Sequence, residues 1–278
     1  MREVIMNISK LLYRLLVLFL VAVLLVSGTV IVKYLTDAIA QKRQYDALAT
    51  QVISSRKEAE RPEKPVVPSV SVPQESVAET APTEPVILPE YAALYEENSD
   101  LVGWMVIEGT PINYPVMQKP DQTDYYLKRN FKKEPSSSGC LYVRETCDVF
   151  TPSDNVTIYG HHMRNGSMFA GLKKFRDQEF WESYQTIIFD TLYEHHSYTV
   201  FAVFTTTASI GQGFAYHQFE NAADAEEFDS FVSTCKALSL YDTGITPKYG
   251  DKMICLSTCE YSQANGRLVV MAVRNCEP

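Results

Sequence analysis

Cys259 closes an apolar run that begins at Met253, and Arg267, eight residues further on, opens a second run that ends at Arg274. Both runs are rich in Val, Ile, Leu and Met. The polar segment Glu260 to Gly266 between them ends in Asn-Gly, so the pair reads as a β-hairpin with a thiol and a guanidinium at its adjoining ends. Alternation along the second strand puts Arg267, Val269, Met271 and Val273 on one face and Leu268, Val270, Ala272 and Arg274 on the other. The two arginines therefore cannot share a task. A thiol reacts as its thiolate and has an ordinary pKa of about 8.5, so a nucleophilic cysteine needs a base in a comparable position. Val156 to Tyr159 is a short β-branched and aromatic run, and Gly160 ends it in a turn that exposes His161 at a strand end. His162 is the adjacent alternative base. His195, His196 and His217 fall in stretches that read as strand or connecting loop.

These residues resemble the signature of the sortases, cysteine transpeptidases of Gram-positive cell surfaces. That signature is a Thr-Leu-x-Thr-Cys strand, an arginine on the next strand and a histidine directly after a glycine. The chain carries Cys255-Leu256-Ser257-Thr258-Cys259, Arg267 and Gly160-His161, and departs only at Cys255, which stands in place of threonine. The segment Asn98 to Ile107, then Ile112-Asn113-Tyr114-Pro115-Val116 and Tyr126-Leu127, is similar to class B members. The resemblance spans about Glu90 to Asn275. Its glycine-histidine pattern selects His161 over His162.

What the resemblance implies is a thioacyl transfer. Cys259 attacks a backbone carbonyl as the nucleophile. His161 protonates the leaving amine and later deprotonates the incoming one, and Arg267 supplies the fixed positive donor for the carbonyl or oxyanion. The expected substrates are C-terminal sorting signals of exported proteins, and the expected acceptor is a peptidoglycan amine. A lysine on a pilin subunit would use the same three residues, and a non-catalytic binding module on the same barrel is the reading from a different class. Glu260, close by in the hairpin, is the other group with which Arg267 could pair.

The remaining chain divides by composition. Leu15 to Val32 is an uncharged apolar run of 18 residues between Arg14 and Lys33, about the minimum for a bilayer-spanning helix and longer than the 7–15 residues usual in a signal-peptide core. Arg2, Lys10 and Arg14 on its short N-terminal side favour a cytoplasmic N-terminus, against a weaker set of Lys33, Lys42 and Arg43 beyond it. Residues 1–33 thus read as a cytoplasmic N-terminus and signal anchor. The catalytic domain is expected outside the cell, on a single-pass membrane protein. Residues 34–89 read as a stem and spacer: Lys33 to Arg61 is polar, and Pro62 to Pro89 holds seven of the fourteen prolines with no glycine or aromatic residue. Such a segment buries no core. Extended at about 3.1 Å per residue it reaches on the order of 90 Å, enough to hold a domain within a cell wall.

Residues 90–278 read as one mostly-β catalytic domain. A short helix from Glu90 to Asn98 precedes apolar runs at Gly103–Glu108, Asn113–Gln118, Gly139–Glu145, Asn155–Gly160, Thr186–Leu192 and Ser197–Thr206, and the hairpin strands make eight. Helical periodicity appears at Ser167–Tyr184 and Ala222–Leu238. Many strands and few helices predict a closed β-barrel. The resemblance implies an eight-stranded sortase barrel with an N-terminal helix and a long helix before the cysteine strand.

Six cysteines in an exported chain invite disulfides, but Cys255 and Cys259 are too far apart on one strand, and Cys140 and Cys147 flank another. Cys235 sits among the apolar positions of a helix, where a small buried hydrophobe is the ordinary explanation, and Cys276 is the residue left for some other pairing. Free thiols are the expectation, with Cys259 the reactive one. No cofactor is expected, and no metal, because adjacent histidines on a strand cannot both face one ion and no Cys-x-x-Cys or His-Glu-x-x-His spacing occurs. A net charge of −9 without a basic run gives no reason to expect nucleic acid.

Overall fold

The computed structural model describes residues 2–59, 85–209, 211–262 and 265–276, with side chains from residue 12 onward. Most of the proline-rich spacer, residues 60–84, lies outside the described residues, as do the side chains of Arg2 and Lys10. The chain divides into two compact units, Met1–Ala47 and Leu48–Pro278. The described residues of the first belong to helix α1 (Arg2–Ala59), which has Leu, Val and Phe side chains exposed along Leu15 to Val32, and this stretch is long and apolar enough to cross a membrane.

The second unit is a closed barrel of eight strands: β1 (Leu101–Ile107), β2 (Asn113–Met117), β3 (Leu141–Val143), β4 (Asn155–Tyr159), β5 (Thr186–Thr191), β6 (Ser197–Thr207), β7 (Met253–Glu260) and β8 (Gly266–Arg274). Their order around the barrel is β1-β2-β3-β4-β7-β8-β6-β5. β2 with β3 and β4 with β7 pair in parallel, and every other neighbouring pair is antiparallel. Closure leaves no unpaired sheet edge. Helix α2 (Pro89–Glu97) precedes the barrel, with proline in its first turn, where a missing N–H costs nothing.

Two expected elements differ. β3 is only three residues long, and before its start Gly139 takes φ 57° against the carbonyl oxygens of Tyr126 and Leu127, a conformation that favours glycine. The helix read at Ser167–Tyr184 is two pieces, a 3₁₀ segment at Phe169–Arg176 and α3 (Gln178–Ser183). Asp177 divides them: its backbone is extended and its side chain accepts a hydrogen bond from the Glu179 N–H, so it starts a new helix rather than continuing the old one.

Helix α4 (Ala225–Leu238) begins at Asp224, whose Oδ1 accepts from the Glu227 N–H at 2.9 Å, while Glu227 accepts in return from the Ala223 N–H at 2.8 Å. Its buried face, Phe228, Phe231, Val232 and Cys235, covers Phe201 and Phe204 of β6, Met253 and Cys255 of β7, and Val269 and Met271 of β8. The stem also contributes. Leu48, Val52 and Arg56 recur every four residues on one side of α1; the first two are buried, and the guanidinium of Arg56 reaches Glu90 at 3.1 Å and Asp190 at 2.9 Å. Part of the segment read as stem is thus helix that groups with the barrel.

Candidate active site

Side-chain alternation on three adjacent strands assembles the site. In the β7/β8 ladder Cys259 lies directly opposite Arg267, so the two side chains leave the sheet on the same face as neighbours. In the parallel β4/β7 ladder Tyr159 lies opposite Ser257, two residues before Cys259. His161, two residues beyond Tyr159, falls on that same face. One cleft of about 440 Å³ is lined by His161, Cys259 and Arg267 together with Tyr159, Ser257, Tyr142, Asp124, Arg144, Tyr216 and His217. Larger clefts around Arg274, His195 and His196 and around Arg56 and Glu90 are not lined by Cys259.

The histidine turn needs its glycine. A Cβ at Gly160 would meet Leu141 at 2.6 Å and Phe169 at 2.7 Å, so only glycine lets the chain leave β4 this close to the core. The ring of His161 is held by its Nε2 against the carbonyl oxygen of Leu127 at 2.8 Å. A carbonyl only accepts, so Nε2 carries the proton and Nδ1 is the atom left to take or give one. His162 does not line the cleft; its Nδ1 donates to the carbonyl of Cys259 at 3.0 Å. Arg267 donates from Nη1 to the carbonyl of Gly266 at 2.9 Å and makes no ion pair among the described residues. Glu260 instead pairs with Arg176 at 3.2 Å.

Cys259 is half-buried in the cleft. The six cysteines are all free. Burial pushes the thiols of Cys235 and Cys255 far up and that of Cys147 to about 11, so these remain neutral packing groups. Cys276 is exposed but lies at the other end of β8, outside this cleft.

Sequence reasoning did not find the rest of the lining. Tyr216 is buried and its hydroxyl shares a hydrogen bond of 2.6 Å with Ser257, and burial raises its pKa. His217 is held in its neutral form by burial and by the guanidinium groups of Arg144 and Arg267. The Tyr142 hydroxyl donates to Asp124 at 2.6 Å. Tyr159 and Ser257 were reachable by counting in twos from His161 and Cys259, whereas Tyr142 comes from β3 and enters only through its pairing with Tyr159. His217 arrives on a single 3₁₀ turn, Tyr216–Gln218, and Arg144 and Asp124 on loops, where no periodicity marks them. Among the described residues no cluster of side chains suited to a metal ion occurs.

A thiol, an imidazole and a guanidinium on one face of one cleft can carry acyl transfer. The sortase domain family matches residues 105–275 of the chain. Sortase B of Listeria monocytogenes is 32% identical over 185 residues, covering 65% of this chain and 72% of that protein. Sortase B of Staphylococcus aureus is 31% identical over 188 residues, covering 67% and 75%. The crystal structure of Bacillus anthracis sortase B in complex with AAEK1 superposes with a TM-score of 0.67 at 32% identity, over 87% of this chain and all of that one. The chain belongs to the sortase family, whose members are cysteine transpeptidases that anchor surface proteins. Within that family it is a class B sortase.

Proposed function

We propose that Cys259, His161 and Arg267 carry the transpeptidation, with C-terminal sorting signals of exported proteins as acyl donors and a peptidoglycan amine as acceptor. The observation that carries this reading is the sharing of one sheet face and one cleft by the three side chains. The Cys259 thiolate attacks the carbonyl carbon of the scissile peptide bond and forms the C–S bond. Arg267 stabilises the oxyanion. The C–N bond then breaks as His161 gives its proton to the leaving amine. In the second half the acceptor amine attacks the thioester, passes a proton to His161 and expels the thiolate, so one peptide bond is exchanged for another with no redox change.

The cleft is reached from solvent, so the acceptor can enter once the leaving fragment departs. In this reading residues 1–33 are a cytoplasmic N-terminus and membrane anchor, residues 34–89 a stem and spacer, and residues 90–278 the extracellular catalytic domain. The apolar stretch of α1 supports the anchor.

The full chain in detergent, mixed with a panel of sorting-signal peptides, gives the test by mass spectrometry. A thioacyl adduct on Cys259 that is absent in Cys259→Ala and becomes amide product on adding amine is the expected result. An unmodified Cys259 with every peptide would overturn the reading in favour of a binding module, and turnover with a pilin lysine but no wall amine would change the acceptor.

A further inference from the structure

We propose that His162, backed by Tyr261, is a positioning residue that sets the nucleophile of this reaction against His161. The inference rests on the transpeptidase reading for its activity readout but on geometry for its content. The parallel ladder between β4 and β7 ends at Tyr159 and Ser257, and its last backbone bond runs from the Gly160 N–H to the Ser257 carbonyl at 3.2 Å. The two reactive side chains lie just beyond that end, and no hydrogen bond joins them among the described residues. Three side-chain bonds take over where the ladder stops. The Thr258 hydroxyl donates to the Gly160 carbonyl at 2.7 Å, His162 Nδ1 donates to the Cys259 carbonyl at 3.0 Å, and the Tyr261 hydroxyl donates to the His162 carbonyl at 3.0 Å.

Of these three, the His162 bond is the one that ends on the nucleophile's own residue. The backbone of His162 is itself fixed from two sides. It bridges to Met168 across a turn that the bond from the Phe169 N–H to the His161 carbonyl, at 2.9 Å, closes at its base. Tyr261 holds the other side, with its ring 5.4 Å from the imidazole. Because the Cys259 carbonyl only accepts, Nδ1 of His162 carries a hydrogen in either protonation state. The ring therefore acts as a fixed strut. It pins the peptide after the cysteine to the segment that carries the catalytic histidine, and small misplacements of reacting groups cost large factors in rate.

The full chain in detergent, with Cys259 read as its own peptide by mass spectrometry, supplies two measurements: kcat and KM for peptide and amine, and the alkylation rate of Cys259 by iodoacetamide against pH. His162→Ala is expected to lower kcat about 10- to 100-fold with KM for the peptide changed by less than about 3-fold, and to displace the alkylation profile. His162→Asn, whose side-chain amide offers an N–H near the place of Nδ1, is expected to return kcat to within about 3-fold of wild type, and Tyr261→Phe to lose about 3- to 10-fold. A kcat for His162→Ala within about 2-fold of wild type would overturn the proposal, as would equal losses in His162→Ala and His162→Asn. If wild type makes no amide product with any peptide, it is the transpeptidase reading that fails. The alkylation profiles of His162→Ala and His162→Asn then still decide whether the strut holds the thiol: separate profiles support it, and profiles identical to wild type overturn it.

Discussion

Arg267 is directly opposite Cys259 and makes no ion pair among the described residues, so in the proposed mechanism its charge is available to a developing oxyanion. A lysine there keeps the charge but loses the planar fork of donors. Arg267→Lys is expected to lower kcat about 100-fold with little change in KM, measured by amide formation from a fixed peptide and amine. A second titratable residue governs stability rather than chemistry. His196 is buried at the far end of the barrel, with its Nδ1 accepting from Arg274 at 2.8 Å and its Nε2 3.2 Å from Glu194. Burial and then Arg274 lower its pKa, and Glu194 opposes them without prevailing. Below about pH 6.5 the unfolded chain binds a proton that the folded chain refuses, so stability present at neutral pH is lost as the pH falls toward the depressed value. Replacing His196 with Asn, which keeps an acceptor for Arg274, is expected to flatten the fall in melting temperature between about pH 7 and pH 5. An unchanged slope would assign that loss to other groups.

At the scale of elements, the parallel pairing of β4 with β7 decides the site, because it aligns the C-terminal ends of two strands that are about a hundred residues apart in the chain. The end of α1 is the other decisive element. The carboxylates of Glu90 and Asp190 are almost wholly buried and are bridged by Arg56, whose side chain is 40% exposed, and by His195 at 3.4 Å and 3.0 Å. The Tyr91 hydroxyl also donates to Asp190, at 2.7 Å. Removing Arg56 leaves two buried carboxylates without their guanidinium. Arg56→Ala is expected to destabilise the barrel by about 1–3 kcal/mol, below the cost of breaking a fully buried pair because Arg56 is partly solvated. Urea denaturation followed by tryptophan fluorescence measures it, and a change under about 0.5 kcal/mol would mean that His195 and Tyr91 suffice.

For the whole molecule, a stretch of α1 that is long and apolar enough to cross a membrane supports the proposed anchoring of the barrel. With the N-terminus in the cytoplasm, a membrane-impermeant maleimide applied to intact cells is expected to label Cys276, which is exposed, without permeabilisation. Labelling only after permeabilisation would reverse the orientation.

The sequence alone determined the elements whose residues alternate or repeat. The eight strands, α4 and the membrane-length helix were legible because burial on one face imposes a period that local pattern records. Cys259, Arg267 and the Gly160-His161 turn were legible for a related reason: each sits at the end of such a run, and the family signature singles them out. Tertiary structure decided what local pattern cannot carry. Asp177 breaks a periodic stretch into two helices through a single side-chain cap. The last turns of a polar stem join the barrel because two buried carboxylates, 34 and 134 residues away from Arg56, require a cation. The lining of the cleft by Arg144 and His217, and the committed ring of His162, depend on loops that cross the end of the barrel. The position of a loop is fixed by what it packs against, and that partner lies far away in the chain.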